Sequence, residues 1–264
     1  MENTKGFKGQ WVFEKDTVVQ EFKRYCEFIV GNDDEFQFFK KHPHFITVIG
    51  NDVLSKNISD IYESSLVVED LVSLEELRRF KVNDTLGSPL LYAYDSLGNI
   101  SPGTLYFANV LADIRRQFGN LHNIDVIEIG SGYGGQAKIL LDSDMDIKNY
   151  SVIDIPSTLG VCNKYLSHFN HTNVNYTTTS EVSNMSADLV ISNWCLSELD
   201  EQGIQFYIDT VIRHCQNGYF LMNTWDARKD FLVEAIKPYF TNINITPEYP
   251  KTHHNENWVL VVSK

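Results

Sequence analysis

The chain has 264 residues, of which 43% are hydrophobic and 22% charged, and it carries a formal net charge of −13. That length suits one large domain, or a domain with a smaller appendage, and the balance excludes a disordered, fibrous or small stapled class. The negative charge, with Lys and Arg thinly spread, would repel a phosphate backbone, so no nucleic-acid partner is expected. No apolar run approaches the ~20 residues of a bilayer span, and "MENTKGFKGQ" lacks the apolar stretch of a secretion leader. The four cysteines Cys26, Cys162, Cys195 and Cys215 show no paired spacing. The expectation is a cytoplasmic protein with reduced thiols and no metal.

Up to about residue 120 the pattern reads as helix and loop. Val18, Val19, Phe22, Cys26, Ile29 and Val30 recur at helical spacing, and "GNDDE" marks a stop and restart. Residues 87–102 are rich in turn formers. Leu105, Ala108, Leu111, Ile114 and Phe118 then trace one face of a helix. From residue 123 short apolar runs alternate with helical segments. "DVIEIG", "YSVIDI", "TNVNYT", "ADLVIS" and "GYFLMN" are strand candidates, and "PSTLGVCNKYLSHF" and "ARKDFLVEAIKPYF" lie among the helices between them. Such alternation predicts a mostly parallel sheet covered on both faces. "TNINIT" and "NWVLVVS" follow without an intervening helix, which implies a hairpin and an antiparallel edge.

The stretch "EIGSGYGG" (128–135) falls where a strand turns into a helix. Glycines there permit positive φ and close backbone approach, and a helix N-terminus offers free N–H groups to a ligand. Gly130, Gly132 and Gly135 satisfy the dinucleotide-binding spacing, and Asp154, ending the next strand, stands where a ribose-binding acid belongs. A nicotinamide-dependent oxidoreductase is therefore one reading. Glu128 weighs against it, because a carboxylate beside a pyrophosphate brings like charges together. An ammonium and a sulfonium, as in S-adenosylmethionine, would favour it.

"VIEIGSGYGG" resembles the first motif of the class I methyltransferases, with Glu128, Gly130, Gly132 and Gly134 in matching positions. The resemblance implies an α/β Rossmann-like fold: a seven-stranded, mostly parallel sheet with an antiparallel last strand, preceded here by an N-terminal helical region. The resemblance covers about residues 85–264, and the change of pattern near residue 120 divides the chain into a helical or lid region over 1–120 and, by the resemblance, an S-adenosylmethionine-binding catalytic domain over 121–264. It also implies that Glu128, Gly130, Ser131, Gly132, Gly134, Asp154, Ile155 and Asn193 hold the cofactor. Three further segments, "YSVIDIPSTLGVCNKYL", "DLVISNWCLSELD" and "GYFLMNTW", are similar to those of bacterial sugar O-methyltransferases, as is the ending "PEYPKTHHNENWVLVV". An acceptor hydroxyl on a nucleotide-linked sugar or surface-polysaccharide precursor is thereby implied. A non-sugar group attached to a glycan stays open, as does homo-oligomerisation.

Methyl transfer to a hydroxyl requires alignment and removal of one proton. Glu198, after the fourth strand, is a candidate base; an alternative role is capping the next helix. His253 and His254, between the last two strands, are the other candidates. Trp194, Asn223, Asp226 and Tyr92 are expected to bind the acceptor, with Trp225 available to stack on it. A non-enzymatic protein that keeps the fold to bind a partner is the remaining reading.

Overall fold

The computed structural model describes residues 15–50, 54–223, 228–250 and 257–264. Its centre is a seven-stranded sheet formed by β3 (His122–Ile129), β4 (Asp146–Asp154), β5 (Val174–Thr178), β6 (Leu189–Asn193), β7 (Asn217–Met222), β8 (Asn242–Pro247) and β9 (Trp258–Ser263). The order across the sheet is β5-β4-β3-β6-β7-β9-β8. Every contact from β5 to β7 is parallel, while β9 runs antiparallel to both β7 and β8. This is the seven-stranded, mostly parallel Rossmann-like α/β sheet with an antiparallel last strand expected above. The antiparallel strand lies one place in from the rim, and β8 is outermost.

Alternation along each strand divides the core in two. Val126 of β3, Leu189 and Ile191 of β6, and Tyr219 and Leu221 of β7 face one layer. Their neighbours Ile127, Ile129, Val190, Phe220 and Met222 face the other. The first layer holds α6 (Pro102–Phe118), α7 (Gly135–Asp142) and α8 (Pro156–His168); the second holds α9 (Glu201–Thr210) and α10 (Arg228–Ile236). Period two therefore sends Glu128, two residues after Val126, toward the α6–α8 side.

The N-terminal helices are α1 (Thr17–Val30), α2 (Asp33–Phe36), α3 (Pro43–Ile46), α4 (Lys56–Glu69) and α5 (Leu74–Phe80). They share the first core layer with the sheet: Phe22, Phe39 and Phe45 pack in the same cluster as Tyr133 and Tyr165. α1 lies on α8, where the Lys164 ammonium donates to the carbonyls of Ile29 (3.1 Å) and Val30 (3.0 Å) and pairs with Asp33 at 2.6 Å. A cation there satisfies the orphan carbonyls of the α1 C-terminus. Glu76 of α5 is buried and takes both Arg115 amino groups of α6, at 2.7 and 2.9 Å, plus the Asp144 amide at 2.9 Å. These bonds hold its carboxyl well down, at about 2 against an ordinary 4.5, despite burial.

Two local expectations change. The turn-rich stretch contains a small hairpin, β1 (Tyr92–Tyr94) and β2 (Gly98–Ile100), whose three-residue strands are too short to show an alternating pattern. α6 is buried throughout residues 102–114, rather than on one face, because α4 and α7 also pack against it.

Candidate active site

The carboxyl ends of β3, β4 and β6 surround a cavity of about 310 Å3. Its wall includes Glu128, Gly130, Ser131, Gly132, Asp154, Ile155, Asn193, Trp194 and Glu198, all expected site residues. A volume of this size lies within the range of small-molecule sites. Clustering at the carboxyl ends is where an open α/β sheet offers a crevice.

The glycine turn shapes the floor. Gly130, Gly132 and Gly134 all have positive φ (81°, 54° and 89°). At Gly130 the need is also steric: a Cβ would lie 2.2 Å from the Cys195 Cβ. Gly134 is the left-handed N-cap residue of α7 and is not part of the cavity wall. The turn's amides point at Asp154, whose Oδ2 accepts from Gly132 N (3.0 Å) and Ser131 Oγ (3.5 Å), while Oδ1 accepts from Ile155 N (2.7 Å). Burial still lifts the Asp154 carboxyl to about 6, against these bonds. A carboxylate has about four acceptor sites, two on each oxygen, so Oδ2 is filled by its two donors and Oδ1 retains one site for a ligand hydroxyl.

Glu128 is 2% exposed and accepts one bond, from the Tyr150 hydroxyl at 2.8 Å. Burial pushes its carboxyl up to about 8; the Tyr150 bond opposes that rise and the nearby Asp154 charge adds to it. A buried acid without a cationic partner holds its proton near neutrality, and a cation entering the cavity would reverse that preference.

Beyond β6 the chain turns sharply. Trp194 adopts φ 64°, unusual for a bulky side chain, with its amide bonded to Leu221 O at 2.7 Å and its ring stacked on Tyr106 at 5.1 Å. Among the described residues its buried indole Nε1 has no hydrogen-bond partner, nor has Asn193 Oδ1. Buried polar groups are normally paired, so these two next to a cavity suit a ligand. Glu198 ends a short 3-10 turn, Cys195–Glu198, and faces the cavity. The cap of α9 is Asp200, which accepts from Gly203 N at 2.8 Å, so the capping role considered for Glu198 falls to its neighbour.

Tyr92 stands away from the cavity: its hydroxyl reaches Leu54 O at 3.4 Å on the hairpin side. The hairpin also packs its ring near Lys56, so Tyr92 is not part of this cavity's wall. Asn223 is also absent from the wall; its amide bonds Ser197 Oγ (3.4 Å) and its carbonyl accepts from Trp258 Nε1 (3.2 Å). Asp226, Trp225, His253 and His254 lie outside the described residues. Among the described residues no metal-ligating cluster occurs, and no helix is long and apolar enough to cross a membrane.

Several wall residues were missing from the sequence reading. Phe22, Lys23, Val48, Ile49 and Gly50 come from the N-terminal helices and the loop after α3. Gln136 of α7 donates to Phe107 O (3.2 Å) and accepts from Asn193 Nδ2 (3.3 Å). Thr179, Leu199 and Tyr207 complete the opposite side. Only Thr179 carried a usable signal, as the residue following β5 at the carboxyl edge of the sheet.

No family model and no curated protein sequence matches the chain. Solved structures that align with it include Thermoplasma acidophilum 1320, with 17% identity over 72% of this chain and 97% of that one and a TM-score of 0.47. M. capricolum TrmK in complex with S-adenosyl-homocysteine aligns at 15% identity, over 58% and 67% of the two chains, with a TM-score of 0.42. Haemonchus contortus phosphoethanolamine N-methyltransferase 2, bound to phosphomonomethylethanolamine and S-adenosylhomocysteine, gives 14% identity, 60% and 52% coverage and 0.46. At these scores the alignments carry no argument about chemistry; the strand order and the cavity must supply it.

Proposed function

We propose that the chain is an S-adenosylmethionine-dependent methyltransferase that methylates a sugar hydroxyl of a nucleotide-linked or surface-polysaccharide precursor. The observation carrying the donor half is Glu128, a buried carboxyl on the cavity wall whose bonded partner among the described residues is the Tyr150 hydroxyl rather than a cation. That position suits an ammonium and disfavours a pyrophosphate. The sheet supports the same choice. Dinucleotide-binding sheets run 3-2-1-4-5-6, whereas here antiparallel β9 separates β7 from β8. The nicotinamide reading thereby loses its topological support.

The residues present fit the cofactor: Glu128 for the ammonium, Asp154 for the ribose hydroxyls, and Ile155, Leu199 and the glycine turn for its apolar and backbone contacts. When bound, the cofactor supplies an electrophilic methyl group on a sulfonium. The protein's tasks are then to exclude water, orient the acceptor and accept its proton. In this reading Glu198 takes the proton, Asn193 helps hold the cofactor, Trp194 orients the acceptor, and the N-terminal helices cap the catalytic portion over 121–264. The sugar acceptor rests on the resemblance of "SNWCLSELD" and "GYFLMNTW" to sugar O-methyltransferases.

Incubation with methyl-labelled S-adenosylmethionine and a panel of free sugars, nucleotide sugars and oligosaccharides tests the proposal. Label is expected as an ether on one sugar class, and Glu198→Gln should lower turnover about 100-fold or more without weakening S-adenosylhomocysteine binding. Labelling of a non-sugar acceptor alone would overturn the acceptor assignment, and an unchanged Glu198→Gln rate would overturn the assigned base.

A further inference from the structure

Tyr150 is fully buried on β4, two strand positions before Val152, which pairs with Glu128 across the β3–β4 ladder. Its hydroxyl donates to Glu128 Oε2 at 2.8 Å. No other partner of the Glu128 side chain is recorded among the described residues, and the carboxyl lies on the cavity wall. The groups around it are few. From β4 come Tyr150 and the Asp154 charge; Tyr106 of α6 and Cys162 of α8 lie close enough to feel Glu128. Lys23 of α1 and Glu198 after β6 are the other charged members of the wall. β6 presents Ile191 opposite Glu128, and α7 contributes the neutral Gln136 to the wall.

We infer that Tyr150 is a positioning residue of the donor site: it clamps one oxygen of Glu128, leaves the other for the ligand, and makes capture of a cationic ligand group a proton exchange. This inference rests on the donor-site reading above. Before a cation arrives Glu128 carries its proton, consistent with a carboxyl lifted to about 8 by burial. As an ammonium enters, the carboxyl O–H bond breaks, the proton passes to solvent, and the resulting carboxylate pairs with the ammonium. Tyr150 stabilises the charged form, because a hydroxyl donating to a carboxylate favours ionisation. Without that hydroxyl the exchange requires a higher pH.

The probe is S-adenosylhomocysteine, which carries the ammonium but no sulfonium. Calorimetric titration at pH 7 in buffers of low and high ionisation enthalpy counts the protons exchanged. The wild type is expected to release close to one proton per ligand, and Glu128→Gln close to none. Tyr150→Phe should bind about tenfold or more weakly at pH 7, the loss expected for a hydrogen bond to a charged group. Its deficit should shrink as pH rises by one or two units, whereas a merely structural defect would weaken binding equally at every pH. Ligand binding with no proton released by the wild type, or a Tyr150→Phe deficit independent of pH, overturns the inference and leaves the donor site standing. Absence of any binding by the wild type removes the donor-site reading itself, and this inference with it.

Discussion

Gly130→Ala tests the glycine turn through a contact that can be relieved from the other side. The added methyl would sit 2.2 Å from Cys195 Cβ and 2.7 Å from its Sγ, against an ordinary carbon separation of about 3.5–4.0 Å. Overpacking of that kind costs about 1–3 kcal/mol. The backbone, at φ 81°, adds about 1–2 kcal/mol for a residue with a Cβ. The sum is a loss of about 2–5 kcal/mol in urea denaturation. Cys195→Gly removes the nearest atom, so the double variant should recover the steric part, giving a favourable coupling of about 1–3 kcal/mol. Cys195→Ala keeps the Cβ and should recover little. A Gly130→Ala loss below about 1 kcal/mol, or equal rescue by Cys195→Ala and Cys195→Gly, would refute the reasoning.

Two further outcomes concern buried acids. Arg115→Met leaves buried Glu76 with only the Arg79 guanidinium at 3.9 Å and two amides, and should cost about 3 kcal/mol at pH 7, the lower end for removal of one partner of a buried pair; chemical denaturation reads this, and a loss under about 1 kcal/mol would contradict the pairing. Glu128 has its folded value raised from 4.5 to about 8, so the stability tied to its protonated form is complete below pH 4.5 and lost as pH rises through 8. That loss amounts to roughly 5 kcal/mol at most. Glu128→Gln should remove this part of the slope, so the ligand-free variant gains on the wild type between pH 5 and pH 9 in parallel denaturation curves. Equal slopes would place the carboxyl outside the apolar setting described.

Where local pattern and tertiary packing agree, the sequence was sufficient. β3, β4, β6 and β7 are apolar runs bounded by turn formers, and Gly130 to Gly134 with Asp154 follow from strand-to-helix geometry. That Gly130, Gly132 and Asp154 gather at one cavity was legible for that reason. The N-terminal part of its wall was not: Phe22 and Lys23 lie on α1, which docks on α8, Val48 to Gly50 lie in the loop after α3, which packs on α1, and no local spacing encodes that packing. Tyr150 read simply as the apolar start of a strand; its hydroxyl matters because parallel register brings it beside Glu128. Tyr92, conversely, preceded the core in sequence but was drawn to the hairpin side.

The central claim is that Glu128 and Asp154 select a nucleoside with a cationic amino-acid tail over a pyrophosphate. Calorimetry with S-adenosylhomocysteine, NADH and NADPH on the same preparation tests it most directly. The expected result is a dissociation constant in the micromolar range, roughly 8 kcal/mol of binding, for the first and no measurable heat for the other two. Binding of NADH or NADPH without S-adenosylhomocysteine would contradict it.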